Sequence, residues 1–261
     1  MIPSHGTVDV TIGEKKNGAI VRVPTSKLQH LLIIGMDQTR ITAWLNGCIK
    51  DLTKRYSPHS LKMAIIDTRQ EIFGSLADNR FLYAPVAADK KAAMWLTNKL
   101  RARIKKCWKD YAKCKEIPPT LNEYLSPHYR DENYYRKYSP ENRYPALFII
   151  TNNAQDLLTD YKKGFHKDLT MLYGFGAAFH IVTITGINIS EMQDLCFAAS
   201  VCSQATSCLS FRMPSQVIGE RIFGAQFMTG VEKLPKDGTM MFGMSRARDQ
   251  IRLRSPFKSQ K

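Results

Sequence analysis

His30-Leu31-Leu32-Ile33-Ile34-Gly35-Met36-Asp37-Gln38-Thr39-Arg40-Ile41-Thr42 is the stretch on which the reading of this chain turns. Residues 30–34 are an uninterrupted apolar run, short enough for a strand and apolar enough to be covered on both faces; Gly35 closes it. The sequence then enters ITAWLNGCIKDLTKRY, where Ile41, Trp44, Leu45, Cys48, Ile49 and Leu52 fall at the spacing of one helix face. A buried strand, a glycine and an amphipathic helix therefore follow one another within about one turn of chain.

Working outward, residues 18–24 (GAIVRVP) alternate apolar and polar and predict an edge strand. Residues 61–67 (LKMAIID) and 145–151 (PALFIIT) repeat the buried-strand composition, and 178–185 (AFHIVTIT) gives a fourth. Shorter strands are expected at 206–211 and 239–243, and a last one at 249–254. A long basic helix spans 89–116 with a core stripe that includes Leu100, Ile104 and Trp108, its lysines and arginines forming a solvated face. Residues 117–143, with four prolines and Tyr124, Tyr129, Tyr134, Tyr135 and Tyr138, interrupt the pattern as a surface excursion. Strands separated by helices predict an α/β fold, a mostly parallel sheet with helices on both faces. The 261 residues are assigned to one domain, 1–261.

Composition narrows the classes. No apolar run approaches the roughly 18 residues of a membrane-spanning helix, and MIPSHGTVDV lacks the pattern of a secretion signal. The chain reads as soluble, and a longer membrane protein could still contain it. The net charge of +15 favours contact with an anionic partner. Tyr129, Tyr134, Tyr135 and Tyr138 with Arg130, Arg136, Lys137 and Arg143 offer a basic, aromatic patch, read first as a loop packed on its own domain. Six cysteines show no C-x-x-C pair and no histidine at zinc spacing, so reduced core thiols are expected and no metal site is.

Strand, glycine and helix are also the setting of the phosphate loop G-x-x-x-x-G-K-[ST]. There, backbone N–H groups wrap phosphates, the lysine reaches them, and the hydroxyl holds Mg²⁺. Gly35 and Thr42 occupy the first and last positions; Arg40 stands at the second glycine and Ile41 at the lysine. On the motif alone the match is weak.

The surrounding blocks extend it. H-L-L-I-I-G at 30–35, I-I-D-T-R at 65–69, A-P-V-A-A-D-K-K-A-A at 84–93, P-A-L-F-I-I-T-N-N-A-Q-D-L at 145–157, H-I-V-T-I-T-G at 180–186, F-G-A-Q at 223–226 and L-P-K-D-G-T-M-M-F at 234–242 resemble, in order, the motor domains of the FtsK/SpoIIIE family. The resemblance implies a RecA-like P-loop NTPase fold. It also implies that the positions of catalytic importance are Ile41 for the lysine, Asn152 and Asn153 for the Walker B acids, and Gly186 for the sensing glutamine. Asparagine neither anchors a metal shell as an anion nor polarises water as a carboxylate does, so an inactive ATPase-like domain is expected. No cofactor is implied, with weak ATP binding through Gly35, Thr39, Arg40 and Thr42 left open.

The terminal domains of type VII secretion coupling proteins (EssC/EccC type) are the most similar branch. That branch implies substrate recognition and regulation of neighbouring ATPase domains in the same chain. Its partners would be small helical secreted proteins, in a hexamer or other homo-oligomer anchored on the cytoplasmic side of a bacterial membrane. Nucleic acid is not expected. The rivals are a DNA-binding translocase domain and a weak atypical ATPase.

Overall fold

The computed structural model describes residues 8–72, 79–112, 145–160, 172, 180–192, 195–224, 228–244 and 247–257. The strands are β1 (Asp9–Glu14), β2 (Ile20–Pro24), β3 (His30–Gly35), β4 (Leu61–Asp67), β5 (Ala146–Asn152), β6 (Ile181–Asn188), β7 (Ser207–Ser210), β8 (Thr239–Met244) and β9 (Ala247–Arg254). The helices are α1 (Thr25–Leu28), α2 (Gln38–Arg55), α3 (Lys90–Ala112), α4 (Ala154–Asp160), α5 (Leu195–Gln204) and α6 (Gln216–Phe223). The excursion expected at 117–143, with its tyrosines and arginines, lies outside the described residues.

All nine strands join one sheet in the order β2-β1-β9-β8-β7-β3-β6-β5-β4. From β7 to β4 every pairing is parallel. The flank from β7 to β2 is antiparallel. The parallel centre is the part the sequence predicts from its buried strands, because helical crossovers cover both faces there. β3 sits between β6 and β7, so the 30–35 run is central, and all six of its residues are buried.

Pleating sends alternate residues to opposite faces. Leu31 and Ile33 enter a core with α2, β1 and β2, and Leu32 and Ile34 enter a second core with α3, α4, α5 and α6. The sheet curls so that the β1–β2 hairpin closes over the far side of α2. β1 meets β9 through a single pairing, Glu14 with Arg254. Side chains from α2 complete its attachment. The Trp44 indole donates to the Ile12 carbonyl at 3.1 Å, the Thr11 hydroxyl to Asp51 at 2.8 Å, and Arg55 to the Asp9 carbonyl at 2.7 Å. The sequence did not point to β1, which pairs antiparallel with β2 from Asp9 to Glu14 and is tied on its other side mainly by side chains of α2.

Trp44 also receives the ring of Phe257 edge-on, 5.8 Å between centroids. Phe257 lies directly over Gly47 of α2, where a Cβ would stand 2.1 Å from its Cγ. A glycine inside a helix costs about 1 kcal/mol relative to alanine, and here it admits the segment that follows β9. Truncating Trp44→Ala removes the largest wholly buried side chain among the described residues and a hydrogen bond that satisfies β1. The expected loss is about 3–5 kcal/mol of unfolding free energy in a urea titration, since the better helix propensity of alanine returns less than about 1 kcal/mol.

Candidate functional site

The junction of β3 and α2 is shorter than a phosphate loop. Gly35 ends β3, and helix begins at Gln38 with Asp37 as its N-cap. Only Met36 and Asp37 lie between. Gly35 is buried against Phe211, whose Cβ would stand 2.8 Å from any Cβ at position 35. Asp37 fills the place at which a helix N-terminus receives an anion: its Oδ1 accepts from the Arg40 N–H at 3.3 Å, and its Oδ2 pairs with the Arg40 guanidinium at 3.0 Å. Arg40 is further tied to the Lys236 carbonyl. The helix end thus carries its own carboxylate and its own counter-cation.

Ile41, at the lysine position, points away from this junction into the α2 core and is wholly buried. The reason is across the sheet. Gly186 of β6 lies beside Ile33, and a Cβ there would be 2.8 Å from Ile41 Cγ2 and 3.2 Å from Leu45 Cδ1. Ile41 occupies the notch that the missing side chain leaves. The two departures seen separately in the sequence are one packing contact.

Thr42, Asn152 and Asn153 do come together, around a carboxylate the sequence reading did not single out. Glu71 Oε2 accepts from the Thr42 hydroxyl at 2.9 Å and from the Asn152 and Asn153 amides at 3.0 Å each. Gln38 Nε2 lies 3.0 Å from Thr42 Oγ1 and 2.9 Å from Asn152 Oδ1. Asp67, at the end of β4, lies 3.2 Å from the Asn152 amide. Burial raises the Asp67 carboxyl above its ordinary range; the Ile72 N–H at 2.6 Å and the Asn152 amide pull it back, and the Glu71 charge raises it again. Asn152 is therefore a donor wedged between two acids. Asn153 has φ +54°, a left-handed conformation that asparagine tolerates better than most residues.

The candidate residues divide between two clefts. Thr39 and Thr42 line one of about 650 Å³ along the outer face of α2, with Asn46, Lys50, Glu71 and Phe257. Arg40 and Asp37 line the other, about 810 Å³, with Arg212, Lys236 and Gly238. Beside them, Arg69 joins the loop after β4 to Asp156 of α4 at 2.7 Å and to Glu191 beyond β6. Hydrogen bonds from Arg69 hold the Glu191 carboxyl below its usual range. Among the described residues no group of three or more His, Cys, Asp or Glu side chains is placed to hold a metal ion. Cys48, Cys202 and Cys208 are buried free thiols and Cys196 is exposed; the side chains of Cys107 and Cys114 lie outside the described residues.

Comparison with known proteins gives relatives along nearly the whole chain. The chain is 26% identical over 254 residues to the DNA translocase FtsK of Caldanaerobacter subterraneus subsp. tengcongensis, covering 96% of this chain and 33% of the relative. It is 24% identical over 254 residues to the DNA translocase SpoIIIE of Bacillus subtilis, covering 96% and 31%. Among solved structures, the cytoplasmic domain of the type VII secretion ATPase EccC of Thermomonospora curvata superposes over 96% of this chain and 29% of its own, with TM-score 0.73 and 15% identity. No family model matches.

The chain is homologous to the FtsK/SpoIIIE DNA translocases and has their P-loop ATPase fold.

It spans about a third of the length of those two curated relatives. Of the residues singled out in the sequence, Gly35 and Asn152 end strands β3 and β5, Asn153 follows β5, Gly186 lies within β6, and Ile41 and Thr42 are in the first turns of α2. Sequence reasoning passed over Asp67 and Glu71, for which the only sequence signal is an acid closing a buried strand and a second acid four residues on.

Two outcomes are expected. Gly186→Ala should cost about 1–3 kcal/mol by overpacking. In the double variant with Ile41→Ala, the combined loss should be smaller than the sum of the single losses, as a double-mutant cycle in urea reads directly. Asn152→Asp, which restores the family's acid, should destabilise the fold at neutral pH by bringing a third carboxylate against Asp67 and Glu71. Like charges raise folded-state carboxyl pKa values, so the folded form then binds more protons than the unfolded form. The penalty should be present at about pH 7 and shrink toward pH 4 as the cluster protonates.

Proposed function

We propose that this chain is an FtsK/SpoIIIE-type domain that has given up ATP hydrolysis and serves as a binding and regulatory module of a type VII secretion coupling protein. The observation that carries the reading is the β3–α2 junction. Two residues replace the phosphate loop, Asp37 caps the helix where a phosphate would sit, and the lysine position is a core isoleucine. A second departure is consistent with it. Asn152 and Asn153 donate to Glu71 beside Thr42, so the hydroxyl expected on Mg²⁺ is instead bonded to a protein carboxylate. Residual nucleotide binding, through Thr39, Arg40 and Thr42, would have to displace Asp37 from Arg40.

On this reading the partners are small helical secreted proteins and the neighbouring ATPase domains of a membrane-anchored, oligomeric parent, on the cytoplasmic side of a bacterial membrane. A structure of EccC ATPases 2 and 3 contains a signal sequence peptide, which makes peptide recognition by this fold a reasonable function to test here. A second reading, a DNA-handling domain, is favoured by the curated relatives, which are DNA translocases. A titration at about 0.15 M salt, where long-range attraction is screened, separates them: helical secreted proteins should bind and duplex DNA should not.

The purified chain with ATP and Mg²⁺ should show no turnover approaching the ~1 s⁻¹ of slow working enzymes. Calorimetry should give a dissociation constant weaker than about 0.1 mM. Ile41→Lys should not rescue hydrolysis, because the ammonium would enter a packed core and the metal position would still lack its acid. Magnesium-dependent turnover in the unmodified chain, or low-micromolar ATP affinity, would overturn the proposal.

A further inference from the structure

α3 presents two unlike faces. Ala93, Leu96, Leu100 and Ile104 are buried in the core under the sheet. Opposite them, Lys91, Trp95, Lys99, Ala102, Lys106 and Lys109 recur at spacings of three and four and so share one exposed stripe. The stripe runs about 27 Å at the rise of an α-helix. From Lys90 to Lys109 the sequence has no acidic residue. Trp95 is 51% exposed and its neighbour Met94 44%. Lys99 holds its ammonium 4.9 Å from the centre of the Trp95 ring and 5.4 Å from that of Tyr83, so the exposed indole has a cation against it.

The geometry points to α3 as a docking face for an anionic lipid surface. Charge complementarity requires an anionic partner along the whole stripe. Among the described residues the exposed stripe belongs to a single helix, and the two clefts at the β3–α2 junction are lined by other elements, so neither cleft seats an acidic peptide along the stripe. The apolar pair decides against a nucleic-acid backbone. Met94 and Trp95 gain by entering a headgroup layer, where tryptophan is favoured, and the lysine stems lie along that layer with their ammonium groups among the phosphates. Because the apolar face of α3 is already spent on its own core, binding is by adsorption and shallow insertion rather than by burial of the helix. This orientation of the domain does not depend on the secretion reading.

The test uses the full 261-residue chain and sedimentation with vesicles of phosphatidylserine in phosphatidylcholine, against vesicles of phosphatidylcholine alone. The unmodified chain should sediment with the anionic vesicles only, with a blue shift of tryptophan emission. Lys91→Glu, Lys99→Glu and Lys106→Glu together should lower the partition at least about tenfold, given the contribution of each lysine near a charged surface. Lys15→Glu, Lys16→Glu and Lys27→Glu make the same change in net charge on exposed positions elsewhere and should lower it far less. Trp95→Ala should lose a few-fold in partition and most of the blue shift. Each variant is compared at matched thermal unfolding, since all the altered side chains are on the surface. Failure of the unmodified chain to bind anionic vesicles, equal losses in the two triple variants, or α3-dependent binding to duplex DNA without binding to vesicles would overturn the proposal.

Discussion

Ile41 resting in the notch left by Gly186 is the contact on which the rest of the site depends. A side chain at 186 would push α2 off the sheet, and a charged residue at 41 would have to leave the core and draw the first turn of the helix with it. With both positions as they are, α2 can lie directly against β6 from its first turn. Helix then starts at Gln38, the junction contracts to two residues, and Asp37 becomes a cap. Packing between two apolar positions thus sets the geometry of polar groups that neither residue touches.

The same helix organises the antiparallel flank. Its outer side carries Trp44, Asp51 and Arg55, which hold β1 where the backbone ladder to β9 is a single pair. Buried carbonyls such as that of Ile12 need a donor, and a tryptophan indole supplies it from the helix. Gly47 and Phe257 lock the segment after β9 onto the same surface. The helix is therefore bounded by the parallel strands, by the hairpin and by the chain that follows the last strand, and its remaining face, with Thr39, Asn46 and Lys50, lines a cleft.

At the carboxyl ends of the parallel strands, the acids and amides form a closed set. Asp67 and Glu71 repel each other, and Asn152 between them donates to both, while Glu71 also accepts from Thr42 and Asn153. Asparagine at 152 and 153 is then more than the absence of two catalytic acids. At 152 an amide supplies donors to two carboxylates. At 153 a left-handed backbone favours the residue type as well. On the proposed reading, the remnants of a metal site have been rewired into a structural network that ties β4, β5 and α2 together.

The sequence by itself determined the buried strands at 30–35, 61–67 and 145–151, the helix face of α2 and the order of the family's blocks. These are local quantities, fixed by side-chain periodicity and by the identity of residues along a short stretch. It also gave the residues that stand at the positions the resemblance marks, Ile41, Asn152, Asn153 and Gly186, because identity at a position needs no coordinates. Only the tertiary structure decided what the replacements do. Ile41 and Gly186 are 145 positions apart, Thr42 and Glu71 are on different elements, and the Ile12 carbonyl of β1 finds its donor in Trp44 of α2; none of these has a period or a spacing to read. Contacts between distant residues arise when the sheet curls around α2, and the meaning of each substitution is set by the neighbour that the curl brings to it.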